Sequence, residues 1–142
     1  DLVNQLPPED LARIFKTFGE EKRAKTIAKA IIRQRREKGP IRASLQLADL
    51  ICASTPASHH ADAKHPATRC FQALRIAVNR ELENLKTFLD KVPALMGKGG
   101  RLVVLSYHSL EDRLVKNFFS VCNSRNKGSM FEGSRIVFYP IF

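Results

Sequence analysis

The chain of 142 residues lacks most of the signatures by which a function is read quickly. Its three cysteines, Cys52, Cys70 and Cys122, are odd in number and far apart, with no Cys-x-x-Cys pair. That excludes a disulfide framework or a cysteine zinc site and points to a reducing compartment, the cytoplasm, or the mitochondrion in a eukaryotic source. All three read as small buried hydrophobes. No apolar run approaches the length of a membrane span. The N-terminus is polar and acidic, unlike a signal peptide, and Asp1 rather than Met in first place admits an excerpt of something longer. There is no G-x-G-x-x-G loop, Walker motif or nucleophile elbow, and no strand ahead of the first helices to carry a cofactor loop. Internal repeats and low-complexity runs are absent as well.

What is present is positive charge. The formal net charge is +10, with 24 Lys and Arg against 14 Asp and Glu, and it is shared by both halves of the chain. No single basic tail accounts for it. Such a balance suits a polyanionic partner, most simply nucleic acid. A hydrophobic fraction of 44% over this length supports one domain with a real core, or two small lobes.

The first half reads as helical. Pro7-Pro8-Glu9-Asp10 is a helix start, Leu11, Ile14, Phe15 and Phe18 form an apolar stripe, and Gly19 ends it. A second helix is expected over 20–38, with Ala24, Ile27, Ala28 and Ile31 on its packed face. Its other faces hold Lys22, Arg23, Lys25, Lys29, Arg33, Arg35, Arg36 and Lys38, offset only by Glu37. From these we expect Lys22, Arg23, Lys25, Lys29, Arg33 and Arg36 to meet RNA phosphates. Ser44 is expected to cap a third helix with Leu47, Leu50 and Ile51 inside. The loop after it contains His59, His60 and His65, but only Asp62 accompanies them, so no metal is expected.

A longest helix is expected from Pro66 to Phe88 or Leu89, burying Phe71, Leu74, Val78, Leu82, Leu85 and Leu89. Arg69, Gln72, Arg75 and Asn79 form a flanking polar row. Flanking the apolar face, that row must be partly buried, and it either makes interhelical hydrogen bonds or lines a pocket for an anion or a base edge. Residues 92–96 read as a separate short helix, 120–134 as loop, and Arg135–Tyr139 as one more strand.

Gly99-Gly100-Arg101-Leu102-Val103-Val104-Leu105-Ser106-Tyr107-His108-Ser109-Leu110-Glu111-Asp112-Arg113 organises the rest. A glycine pair opens an aliphatic run that reads as a strand buried on both faces. The run stops at Ser-Tyr-His-Ser, and a helix follows that buries Leu110, Leu114, Val115, Phe118 and Phe119. Ser109 and Asp112 have the spacing of a capping box. A strand end above a helix N-terminus is where open α/β sheets place ligands, which puts Tyr107, His108 and Asp112 near any chemistry. Ser106, His108 and Asp112 are too crowded for a hydrolytic triad, whose members come from separate elements.

Four segments resemble the MraW (RsmH) family of S-adenosylmethionine-dependent 16S rRNA cytosine-N4 methyltransferases. They are Asp1–Asn4, Thr17–Glu21 with the helix that follows, His65-Pro66-Ala67-Thr68-Arg69-Cys70-Phe71-Gln72-Ala73-Leu74-Arg75 through Asn79, and Gly99–Arg113, over roughly residues 1–119. The resemblance implies an α/β fold, a partial Rossmann-like methyltransferase domain with an inserted all-helical lobe, the chain as given being mostly α. Residues 1–66 would be the lobe that recognises rRNA, and 67–142 the back half of the methyltransferase domain. Tyr107 is expected to stack on a cytidine and His108 or Asp112 to orient its amine. Arg69, Gln72, Arg75, Ser106 and Arg113 are expected to bind substrate.

In that family the glycine-rich cofactor loop precedes the segment matching Asp1–Asn4. The expectation is therefore that no cofactor-binding residue lies in this chain, which alone binds S-adenosylmethionine weakly or not at all. The tail from Ser120 departs from the family pattern. Expected partners are small-subunit rRNA or the ribosomal subunit and no membrane, with a homodimer left open. A non-catalytic basic RNA-binding module, or a structural piece that needs a further segment to fold, are the competing readings.

Overall fold

A computed structural model describes residues 2–55, 65–97 and 100–125, with side chains to 122. Its described residues form seven helices: α1 (Leu2–Gln5), α2 (Pro8–Gly19), α3 (Ala24–Lys38), α4 (Ser44–Ala53), α5 (Thr68–Asn79), α6 (Glu81–Leu95) and α7 (Ser109–Arg125). No strand ladder is present among them. The chain divides into two compact units, Asp1–Asn79 and Arg80–Phe142, and α5 falls in the first.

The first unit is a helical assembly around one apolar core. Leu11 and Phe15 of α2, Ala24, Ile27, Ala28 and Ile31 of α3, Leu47 and Ile51 of α4, and Cys70 and Ala73 of α5 are all buried in it. Those of α2, α3 and α4 are the periodic apolar positions of the sequence, now facing one another. Small residues set how closely α2 and α5 approach. A Cβ placed on Gly19 would lie 2.6 Å from the Arg69 carbonyl oxygen and 3.2 Å from Ala73 Cβ. Gly19 is the last residue of α2, and the left-handed turn follows at Glu20, whose φ is 48° and whose N–H donates to the Phe15 carbonyl.

Polar groups fasten the ends of these helices. Asn4 donates to the Ile41 carbonyl at 2.8 Å and accepts the Ile41 N–H at 2.9 Å. Arg35 Nη1 donates to the Leu6 carbonyl at 2.7 Å, and Arg23 Nη1 to the Ser54 carbonyl at 3.0 Å. The two arginines satisfy carbonyls at the ends of α1 and α4, and Asn4 pins the connection between α3 and α4.

The helix expected to start at Glu20 begins at Ala24, because Glu21 turns its carboxylate back onto the Arg23 N–H at 2.9 Å. Ser44 is the first residue of α4 and Ala43 stands at the cap without a side-chain hydrogen bond. The single helix expected from 66 to 89 is two. Arg80 is left-handed, with φ 52° and ψ 38°, which breaks the hydrogen-bond ladder between α5 and α6. The separate helix expected at 92–96 is the end of α6, with Pro93 inside its last turn.

The face of α5 is also rotated by one residue. Its buried stripe is Cys70, Ala73 and Ile76, whereas Phe71 and Leu74 are half-buried and Val78 is 64% exposed. Arg69, Arg75 and Asn79 are accordingly exposed, and only Gln72 is half-buried, so the expected partly buried polar row does not form. Close packing against Gly19 selects the small residues for the contact, against the bulkier stripe that periodicity alone favours.

In the second unit Leu89, Val115 and Phe119 form a small core, with Leu85, Leu102, Val104 and Phe118 packed against it. The run 101–105 is not a strand among the described residues, and its exposure alternates, in the manner of extended backbone, instead of being buried on both faces. Leu102 and Val104 pack inward, while Val103 is 61% and Leu105 51% exposed. A strand is covered on both faces only when neighbouring strands and a second layer supply the cover, and the described residues supply one side. The expected loop from 120 gives way to α7, which continues to Arg125. The expected strand Arg135–Tyr139, together with His59, His60 and Asp62, lies outside the described residues.

Candidate functional site

The extended run and the start of α7 bring polar side chains inside. Alternation along the backbone buries Ser106 and His108 and turns Tyr107 outward, 74% exposed. Asp112, one turn into α7, is buried as well. Three atoms there have no hydrogen-bond partner among the described residues: Ser106 Oγ, His108 Nε2 and Asp112 Oδ1. Buried polar groups are nearly always satisfied, so three such atoms within seven residues single out this segment. The second carboxylate oxygen of Asp112 is engaged by Lys116 at 2.7 Å.

The cap of α7 differs from the expected Ser109–Asp112 pair. Ser109 is the first helical residue, and His108 stands before it. His108 Nδ1 accepts the Glu111 N–H at 3.3 Å, and a Glu111 carboxylate oxygen accepts the Tyr107 N–H at 2.9 Å. The arrangement is a variant of the capping box one residue toward the N-terminus, with imidazole in place of the usual hydroxyl and the Tyr107 N–H in place of the cap residue's own. Because Nδ1 accepts, the neutral ring carries its proton on Nε2. That N–H lies 3.4 Å from Glu111 Oε1, too poorly aligned to form a hydrogen bond, and remains a donor toward a ligand.

Glu81, at the start of α6, completes a group with His108 and Glu111 whose donor and acceptor atoms lie within 4.8 Å of one another. Two carboxylates and an imidazole at this spacing resemble a metal-ligand set. A protonated Nε2 offers no lone pair, however, so the ring as capped here is a hydrogen-bond donor and not a ligand. Sequence reasoning missed both glutamates. Glu111 was detectable, three residues after His108 in a helix start, whereas nothing local to Glu81 signals its approach.

The remaining expected site residues are distributed between the units. Arg69, Gln72 and Arg75 lie on α5 in the first unit, and Arg113 is exposed on α7 in the second. Among the expected phosphate contacts, Lys22, Lys25, Lys29, Arg33 and Arg36 are exposed. Arg23 is committed to the Ser54 carbonyl, a structural position that its charge alone does not reveal. Among the described residues no helix is long and apolar enough to cross a membrane.

Residues 1–130 match the MraW methylase family, further than the 1–119 expected and past the point where the tail was expected to diverge. Curated relatives carry the name ribosomal RNA small subunit methyltransferase H. The protein of Coprothermobacter proteolyticus is 48% identical over 128 residues, covering 90% of this chain and 42% of its own length. That of Desulfosudis oleivorans is 55% identical over 117 residues, 82% of this chain and 37% of its own. That of Syntrophotalea carbinolica is 50% identical over 119 residues, 84% and 38%. The chain thus spans about two-fifths of the length of these relatives. With nearly its whole length matched, including the segment that carries the buried Ser106, His108 and Asp112, the chain belongs to the MraW methylase family.

Proposed function

We propose that this chain is part of an S-adenosylmethionine-dependent methyltransferase acting on the exocyclic amine of a cytidine in small-subunit rRNA. The observation that carries this reading is the set of orphaned buried atoms, Ser106 Oγ, His108 Nε2 and Asp112 Oδ1, at the end of the extended run. In this reading the run 101–105 is a strand of a Rossmann-like sheet, and its C-terminal end holds the base. The helical residues 1–66 serve rRNA recognition, and residues 67–142 belong to the methyltransferase domain. The enzyme works in the cytoplasm on the RNA or the ribosomal subunit.

The polar atoms suit a nucleobase edge. An exocyclic amine must shed a proton as it becomes a nucleophile, and a base edge offers acceptors beside it. His108 Nε2–H donates to a ring acceptor, and Asp112 Oδ1 accepts from the amine and takes its proton. Tyr107, exposed on the opposite side of the backbone, offers a ring face for stacking on a neighbouring nucleotide rather than on the base that meets His108 and Asp112. Arg69, Gln72, Arg75 and Arg113 contact the surrounding RNA.

S-adenosylmethionine supplies an electrophilic methyl group on a sulfonium. The chain alone is expected to bind it weakly or not at all in a calorimetric titration.

The test is a chimera in which this chain replaces the matching segment of a curated relative. It is expected to methylate small-subunit RNA and to lose that activity with Tyr107→Ala or His108→Ala. A folded chimera that cannot methylate, or one indifferent to both substitutions, overturns the reading.

A further inference from the structure

The eight basic residues over 22–38 do not share one role. Arg23 and Arg35 hold carbonyls at helix ends. Lys29, Arg33 and Arg36, spaced by four and three residues, instead line one cleft with Pro8, Ile32 and Glu37. Its volume is about 510 Å³. All three cations are exposed, and none makes a hydrogen bond or ion pair with another described residue.

The chemistry of the cleft is specific. Three cations on one helix face extend over about 10 Å at 1.5 Å per residue, which follows a run of anionic groups rather than one. The volume falls within the range of roughly 300–1,000 Å³ typical of small-ligand sites, more than a lone anion fills. Pro8 and Ile32 give it an apolar wall, and guanidinium groups can fork onto phosphates or stack on a base. Glu37 is the one acid in the lining and opposes an anionic ligand.

We propose that this cleft anchors the backbone of single-stranded RNA, with Lys29, Arg33 and Arg36 on phosphates and a sugar or base against Pro8 and Ile32. Lys22 and Lys25 lie outside it. The inference rests on the proposed function only in naming RNA as the polyanion.

The test is fluorescence anisotropy of a labelled single-stranded oligoribonucleotide titrated with the full chain over a series of salt concentrations. Each phosphate contact to a single strand contributes about 0.7 to the slope of log affinity against log salt. The triple variant Lys29→Ala, Arg33→Ala, Arg36→Ala is expected to lower that slope by about 2 and to weaken binding about tenfold or more at low salt. Lys22→Ala with Lys25→Ala is expected to leave the slope nearly unchanged, and Glu37→Gln to tighten binding. Circular dichroism monitors the fold of each variant, all the altered side chains being exposed.

An unchanged slope in the triple variant overturns the cleft. So does an equal loss in the Lys22, Lys25 pair, which assigns binding to a diffuse basic surface. A loss seen with a sulfated polysaccharide but not with the oligoribonucleotide overturns RNA as the occupant. A chimera that fails to methylate while the salt response follows the cleft counts against the proposed function alone.

Discussion

His108 Nδ1 accepts the backbone N–H of Glu111, and the Glu111 side chain reaches back to the N–H of Tyr107. One reciprocal pair therefore starts α7 and fixes which imidazole nitrogen carries the proton. Glu111→Ala removes an acceptor from the helix start and should destabilise the chain by about 1 kcal/mol, as other cap losses do. Glu111→Gln keeps an amide oxygen at the same place and should restore most of it. Denaturant unfolding of the two variants checks this, and equal losses would show that the side chain does not cap.

Gly19→Ala pits helix propensity against packing. Propensity alone favours alanine by up to about 1 kcal/mol. The added Cβ would meet the Arg69 carbonyl at 2.6 Å, a backbone atom that cannot turn aside. Overpacking of this kind costs about 1–3 kcal/mol, so a lower unfolding midpoint is expected.

Neighbouring arginines on α3 should behave in opposite ways. Arg35→Ala strips a charged donor from the Leu6 carbonyl and is expected to cost about 1.5–3 kcal/mol. Arg33→Ala, exposed and without such a bond, should change stability by no more than about 0.5 kcal/mol. Thermal unfolding of the two variants side by side gives the comparison.

Burial, with the Glu21 carboxylate adding to it, pushes the Cys70 thiol up from 9.0 to about 12. The folded state therefore holds this proton more tightly than the unfolded chain. The stability it contributes is complete below pH 9 and is lost as pH rises from there toward 12. Over that window it falls by about 1.4 kcal/mol per pH unit. Cys70→Ala should flatten the alkaline limb of the stability profile, and an unaltered limb would assign the loss to other groups.

Much of the first unit is legible in the sequence because its helices are short, amphipathic and punctuated. Leu11, Phe15, Ile27, Ile31, Leu47 and Ile51 are buried where their spacing puts them. The break at Arg80 is not legible, since a left-handed arginine carries no compositional mark. The rotation of α5 is equally hidden, because it depends on Gly19, fifty residues before Arg69 in the chain. At the candidate site the motif marks Ser106, His108 and Asp112, while Glu81 comes beside His108 and Glu111 through the packing of α6 against α7. The cap lies one residue earlier than residue type favours because His108, not the Ser109 hydroxyl, accepts the free N–H of the first turn.

The outward row of Val103, Leu105 and Tyr107 has a consequence for handling the protein in solution. An extended segment with apolar side chains exposed and no ladder partner among the described residues is a template for association with another copy. The formal charge of +10 opposes such encounters by mutual repulsion. Added salt shortens the reach of that repulsion, to about 8 Å near physiological ionic strength, and leaves the apolar row untouched. The colloidal stability of this polypeptide should therefore be greatest in dilute buffer and decline as electrolyte is added.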